Sequence, residues 1–246
     1  MKDVKFLSHQ VGLLTRLLMI LCLWIGAAAT QADTLEEGKQ AIEDGDYQRA
    51  VAIFTPLADE GGAEAQYMLG SLYAGGQGIE ADLDRARELF LAAAEQGLPA
   101  AQFKYGLALA EGLGGAQDLE EAFRWFEQSA RQGDARGQFY LALAHEQGIG
   151  TRRDPVQAAS WYYQAARQGL TQAQTNLGIL YVNGKGVAAN PVEAYAWFNL
   201  AALSGDEGAS ENKRLIADSM TPEQLAEAKR LAADYLREIL GRQSVQ

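Results

Sequence analysis

A step of 36 residues runs through most of this sequence and limits what it can fold into. Gly61, Gly97, Gly133, Gly169 and Gly205 keep that step. So do Ala50, Ala86, Ala122, Ala158 and Ala194, and likewise Ala58, Ala94, Ala130, Ala166 and Ala202. Aromatic residues follow the same register at Phe54, Phe90, Phe126, Tyr162 and Phe198. Gln66, Gln102, Gln138 and Gln174 form a further column, and Trp125, Trp161 and Trp197 another. Repetition at this period marks stacked supersecondary units, none of which can bury its apolar face alone.

Each unit reads as two helices. Ala65, Leu69, Leu72 and Tyr73 fall on one face of the first, at i, i+4, i+7 and i+8. The second, roughly residues 82–96, gathers Ala86, Leu89, Phe90 and Ala93 in the same way. Asp82, Asp118, Asp154 and Asn190 stand at N-cap positions, followed at two of them by Pro155 and Pro191, where a missing N–H costs nothing. The glycine column ends the second helix, because glycine takes the left-handed backbone without steric cost. The small alanine columns let paired helices approach closely, and larger residues there overpack the interface.

These columns resemble the Sel-one-like repeat (SLR) family, a variant of the tetratricopeptide α-solenoid. The resemblance rests on A-x-x-L-G-x-x-Y, then G-x-G-V, then D-x-x-x-A-x-x-W-[FY]-x-x-A-A-x-x-G. The fullest copy is Leu177-Gly178, Tyr181, Gly184, Gly186-Val187, Ala194, Trp197-Phe198, Ala201-Ala202 and Gly205. It covers residues 63–205 as four repeats, with Leu109 and His145 in place of the tyrosine and Ala142 in place of the glycine. The implied fold is all-α: a right-handed solenoid of antiparallel helix pairs. Residues 33–62 read as a shorter tetratricopeptide-like pair, with Gly45-Asp46 as its turn. After Gly205 the pattern lapses, and 206–246 read as C-terminal capping helices, the last opened by a capping box at Thr221-Pro222-Glu223-Gln224.

The N-terminus stands apart. Lys2, Lys5 and Arg16 precede the apolar run 17–27, and small residues follow up to Ala32. That order reads as a secretory signal peptide over residues 1–32, cleaved after Ala29 or Ala32. The apolar run is shorter than the ~20 residues a bilayer crossing needs. The chain is therefore expected to be exported across an inner membrane, to a periplasm. Cys22 is the only cysteine, so the processed chain has no disulfide and no thiolate ligand. Removing residues 1–32 takes the net charge from −11 to −13. A surface that acidic repels nucleic acid and anionic membrane. The charge is uneven: 33–97 hold 14 acids and 4 bases, whereas 98–205 hold 9 and 8.

Gly184-Lys185-Gly186 looks like a phosphate loop, but its equivalents are Gly76-Gln77-Gly78, Gly112-Leu113-Gly114 and Gly148-Ile149-Gly150. The glycines recur without the lysine, after a helix and with no strand, so they serve turn geometry. Ser210 and Lys213 match S-x-x-K, the motif of penicillin-recognising enzymes, without its companion elements. Metal binding lacks ligands: His9 leaves with the signal, and His145 occupies a helix position where other copies carry Tyr or Leu. No cofactor is expected.

What remains is the surface. On a tetratricopeptide frame the first helix of each pair lines the concave side, which places Tyr67, Phe103, Phe139 and Thr175 there. Ser71, Leu107, Leu143 and Ile179 lie one turn on. Such a groove suits a peptide or a helix. Arg124, Arg131, Arg136, Arg152, Arg153 and Arg167 cluster in one region, with Arg152-Arg153 on an inter-helix loop open to an acidic partner. The expected function is a non-enzymatic adaptor of the cell envelope that holds another protein or a peptide. Tyr67, Phe103, Leu107, Phe139, Leu143, Ile179, Arg152 and Arg153 are its candidate contacts. The alternative is a cell-wall- or carbohydrate-directed protein with β-lactam hydrolase activity at Ser210 and Lys213, because cysteine-rich relatives of the SLR family are linked to β-lactams.

Overall fold

The structure, a computed structural model, describes residues 32–243. The expected signal peptide lies outside the described residues except for Ala32. The described chain is helical throughout, as twelve helices without a strand. Two compact units divide it, one ending at Leu89 and the other beginning at Phe90.

The first unit holds α1 (32–43), α2 (Tyr47–Asp59), α3 (Ala63–Gly75) and the start of α4 (Leu83–Glu95). Asp46 caps α2 by accepting the Arg49 N–H. The α1–α2 turn is thus a short one, and the core closes over it. Ala41, Ala50, Phe54, Leu57, Leu69 and Leu72 are buried together there. Gly38 lets α1 cross α2, since a Cβ on it would sit 2.5 Å from the Phe54 ring.

The second unit completes α4 and continues with α5 (Pro99–Glu111), α6 (Leu119–Arg131), α7 (Ala135–Gln147) and α8 (Pro155–Ala166). Then come α9 (Thr171–Asn183), α10 (Pro191–Leu203), α11 (Glu207–Ala217) and α12 (Pro222–Gln243). From α5 onward each helix packs on the next as far as α11, and α12 returns to pack on α10. The N-caps fall where the repeat puts them. Asp118 accepts from Glu121 N–H, Asp154 from Val156 and Gln157, and Asn190 from Val192 and Glu193.

A glutamine joins each pair to the one before it. Gln66 Nε2 donates to the Ala58 carbonyl at 3.2 Å, Gln102 to Ala94 at 3.3 Å, Gln138 to Ala130 at 3.2 Å and Gln174 to Ala166 at 3.1 Å. Each acceptor is a carbonyl in the last turn of a second helix that also accepts the N–H of the column glycine, Gly61, Gly97, Gly133 or Gly169. All four amides are buried. In the second unit the acceptor ends are themselves served: Gln132 donates to Gln102 Oε1 at 2.7 Å, and Gln168 to Gln138 Oε1 at 2.8 Å. The relay stops at Gln174, because the next residue of that column is Ser204, whose hydroxyl turns to Leu200 O. Gln174 Oε1 is left buried without a partner among the described residues.

The Gly-x-Gly loops behave as turns. Gly184 caps α9 in the left-handed conformation, φ +63°, with its N–H on Leu180 O. The second glycine has a separate task, since the loop of one repeat rests on the helix start of the previous one. A Cβ on Gly186 would lie 1.9 Å from the Pro155 carbonyl oxygen, and one on Gly150 would lie 1.9 Å from that of Leu119. Lys185 is exposed, and its backbone N–H donates to Leu180 O. The loop ends a helix and aims no helix N-terminus at an anion.

The C-terminal helix is held where the sequence places it. Thr221 N–H donates to Gln224 Oε1 at 3.0 Å, and Gln224 N–H returns to Thr221 Oγ1 at 3.2 Å. Ala228, Ala232 and Ile239 are buried, and the Tyr235 ring stacks on Trp197 at 4.4 Å. Tyr235 also donates to Glu193, while Arg167 forms an ion pair with Glu238. After Gly205, α11 keeps the place of a first helix against α10, whereas the longer α12 leaves the repeat arrangement and packs back on α10.

Two outcomes are expected from these contacts. Ser204→Gln supplies the missing donor to Gln174 and raises stability by about 0.5–1.5 kcal/mol in chemical denaturation; no gain would contradict the relay. Gly133→Ala, at φ +93° with nothing within 4 Å of the new Cβ, bears the backbone strain alone, roughly 1–3 kcal/mol. Gly186→Ala adds the clash with Pro155 and loses more, so equal losses would contradict the inter-repeat role of that loop.

Candidate functional site

Within the second unit the first helices α5, α7, α9 and α11 present a series of equivalent positions, and the residues there decide whether the space between neighbours is filled. Between α5 and α7 it is filled by aromatic rings. Tyr140 lies 5.2 Å from Phe103, 5.3 Å from Phe126 and 5.4 Å from Phe139. The Arg136 guanidinium closes the cluster, 5.0 Å over the Phe103 ring, while binding Asp134 at 3.0 Å.

One repeat later the same place is filled by a polar bridge. Asn176 stands where Tyr140 stood, and Tyr162 where Phe126 stood. The buried Tyr162 hydroxyl donates to Glu146 Oε2 at 2.8 Å, and burial together with that carboxylate pushes the phenol well above its ordinary range.

A further repeat on, no ring fills it, and Ile216 packs against the cluster that buries Phe198. Phe198 keeps the position of Phe126, but Thr175, Glu211 and Asn212 replace Phe103, Phe139 and Tyr140. The space left between α9 and α11 is a mostly apolar cleft of about 320 Å³, lined by Ile179, Val182, Asn183, Phe198, Asn212, Leu215 and Ile216. Ile179, Val182 and Leu215 are 39, 44 and 53 % exposed. Gly178 lets the Phe198 ring reach the floor of the cleft, since a Cβ there would sit 2.6 Å from it. At the upper edge Thr175 donates to Asp206 Oδ2 at 2.7 Å, tying α9 to the cap of α11. The Ala209 N–H, with the Thr175 bond second, holds the Asp206 carboxyl below its usual range.

The expected contacts fall into different environments. Ile179 lies in the cleft. Leu107, Leu143 and Phe139 are half-buried on α5 and α7, and Tyr67 is half-buried on α3 in the first unit. Phe103, read from the sequence as an open groove aromatic, is 5 % exposed. This corrects that reading: Tyr140 and Arg136, from the next repeat, close over its ring. Arg152 and Arg153 are exposed, and Arg153 Nε donates to the Glu146 carbonyl at 2.9 Å.

Sequence reasoning missed Val182, Asn212, Leu215 and Ile216. The signal was present: carried past Gly205, the 36-residue step puts Asn212 in the Tyr140 column and Leu215 in the Leu143 column.

The other candidates are engaged locally. The Ser210 hydroxyl donates to Asp206 O at 3.1 Å, whereas Lys213 Nζ reaches Asn199 Oδ1 at 3.4 Å. His145 packs edge-to-face on Phe123 at 5.3 Å, and burial lowers its pKa against the pull of Asp154 and Glu127.

Comparison with known proteins agrees with this architecture. The sequence profile of the family described as Sel1 repeat matches residues 63–98, 99–134, 135–170 and 171–206. Among solved structures, a Sel1 repeat protein from Oxalobacter formigenes is 27% identical, with 82% of each chain covered and a TM-score of 0.69. A putative Sel1 repeat protein from Klebsiella pneumoniae is 24% identical over 77% of this chain and 94% of that one, TM-score 0.52. Pseudomonas aeruginosa PilF shares the fold at 16% identity, over 90% of this chain and 100% of that one, TM-score 0.58. No curated protein matches the chain. The helices therefore form a tetratricopeptide-like α-solenoid, a fold used as a scaffold for protein interactions, and the chain belongs to the Sel1 repeat family.

Proposed function

We propose that this protein is a non-enzymatic adaptor of the bacterial cell envelope that holds a partner protein or peptide on the face of its first helices, with the α9–α11 cleft as the principal contact. The open cleft carries this reading. Apolar side chains kept exposed beside a buried aromatic floor, in a register that the same chain fills elsewhere, are the usual form of a docking surface. Interfaces draw most of their affinity from a few well-packed apolar anchors, and a cleft of this size accepts one.

The envelope location rests on the N-terminal pattern: basic residues, an apolar run and small residues ending near Ala32. No helix among the described residues is long and apolar enough to cross a membrane. The acidic surface disfavours nucleic acid as the partner. The hydrolase reading has less support, because Ser210 and Lys213 direct their hydrogen bonds to different groups.

Photo-crosslinking tests the assignment. A photoreactive residue at Leu215 is expected to trap a discrete partner in native envelopes, whereas one at Ser160, exposed on the second helix α8, is expected to trap none. Equal labelling from both positions, or none from Leu215, would contradict it.

A further inference from the structure

We infer that the pocket at the α7–α8 loop is a site for one carboxylate, carried by an acidic residue of the partner and bound by Arg152 and Arg153; this rests on the adaptor reading above and names a chemistry the partner brings. The pocket, about 450 Å³, is lined by His145, Thr151, Arg152, Arg153, Asp154 and Pro155. The repeat shows what is particular to it. In the next copy the two arginine positions are Ala188 and Ala189, and in the copy before they are Ala116 and Gln117. Gln117 Nε2 donates to the Ala110 carbonyl at 2.8 Å, and Arg153 Nε makes the equivalent bond to the Glu146 carbonyl at 2.9 Å. The loop therefore needs a single N–H from that position, and an amide suffices elsewhere. Arginine adds a guanidinium whose plane that bond already fixes, with its two Nη groups left as the fork that matches a carboxylate.

Charge supports this occupant. Of the arginines gathered in this region, Arg131, Arg136 and Arg167 have carboxylate partners in Glu127, Asp134 and Glu238. Arg124, Arg152 and Arg153 form no ion pair among the described residues, and the last two line one pocket. Asp154 lines it too, but its Oδ1 accepts the Val156 and Gln157 N–H groups that open α8. Two guanidiniums against that one carboxylate leave the pocket positive, and the Thr151 hydroxyl is a further donor. A free anion is repelled by the chain as a whole, whose net charge without residues 1–32 is −13. The carboxylate thus arrives on a segment that has other contacts, and its capture sets the register of that segment.

The test uses the chain lacking residues 1–32, in which His145 is the only histidine and lines the pocket. Its ring resonances and the Arg153 Nε–H are followed by NMR at constant ionic strength. The probes are acetyl-Ala-Glu-Ala-amide, the same peptide with Gln for Glu, and inorganic phosphate. The Glu peptide is expected to shift both signals saturably, with the Gln peptide weaker by about tenfold or more. The double variant Arg152→Ala with Arg153→Ala copies Ala188 and Ala189, keeps the helical spectrum, and is expected to lose the Glu peptide by the same factor. Arg153→Lys keeps the charge but cannot hold the Glu146 carbonyl and present a fork at once, so most of the affinity is lost there too.

No saturable shift at either reporter, equal binding of the Gln peptide, or full binding by Arg153→Lys would overturn the carboxylate site. Phosphate binding more tightly than the Glu peptide would make the occupant a free anion and overturn the partner residue. None of these results bears on whether Leu215 traps a partner, so the adaptor reading stands or falls separately.

Discussion

One buried hydrogen bond sets the spacing of this fold. A glutamine near the start of each first helix donates its amide to a carbonyl in the last turn of the preceding second helix, at 3.1–3.3 Å in all four copies. Helix ends leave carbonyls that must find donors or water. Here the N–H of the glycine that ends the helix serves each carbonyl, and a side chain from the next repeat adds a second donor, so the buried glutamine amide finds its partner only across the repeat boundary. Each such bond adds only about 0.5–1.5 kcal/mol net, but breaking one strands a buried amide donor. The bond therefore fixes how far each pair advances, and the alanine and glycine columns then fit the helices together at that distance. Where the relay runs out, at Gln174, the chain changes character: α11 still packs on α10 as a first helix would, and α12 folds back onto α10 instead of pairing with α11.

That change of character produces the candidate site. A regular repeat fills the gap between successive first helices with the same residue each time. This chain uses a tyrosine ring between α5 and α7, a tyrosine–glutamate bridge between α7 and α9, and an asparagine with exposed aliphatic walls between α9 and α11. The frame is held by the conserved spacing of glutamine, glycine and alanine, so the filling is free to vary without loss of fold. That filling varies from one repeat to the next, and between α9 and α11 it leaves an apolar cleft.

Most of the fold was legible in the sequence because repetition multiplies each weak signal. One Asp before a helix is ambiguous; Asp118, Asp154 and Asn190 at one register are not, and each accepts the N–H groups of its own first turn. The site was less legible. Position in the repeat assigned Phe103 to a groove surface, but exposure depends on the neighbouring repeat, and Arg136 with Tyr140 covers it. Register placed both Ile179 and Phe103 on the first-helix face, yet only Ile179 is exposed: the register gives a residue's place, and only packing gives its exposure. Leu215 and Asn212 escaped because the glycine and alanine columns end at Gly205, although the spatial register continues through α11.

Hydrogen exchange of the protein bound to its crosslinked partner, compared with the free protein, tests the central claim most directly. The account predicts new protection concentrated in the last turns of α9 and in α11, around residues 179–183 and 211–216, with the second helices α8 and α10 unchanged on their exposed faces. Protection confined to α8, α10 or α12, with α9 and α11 exchanging as in the free protein, would contradict it.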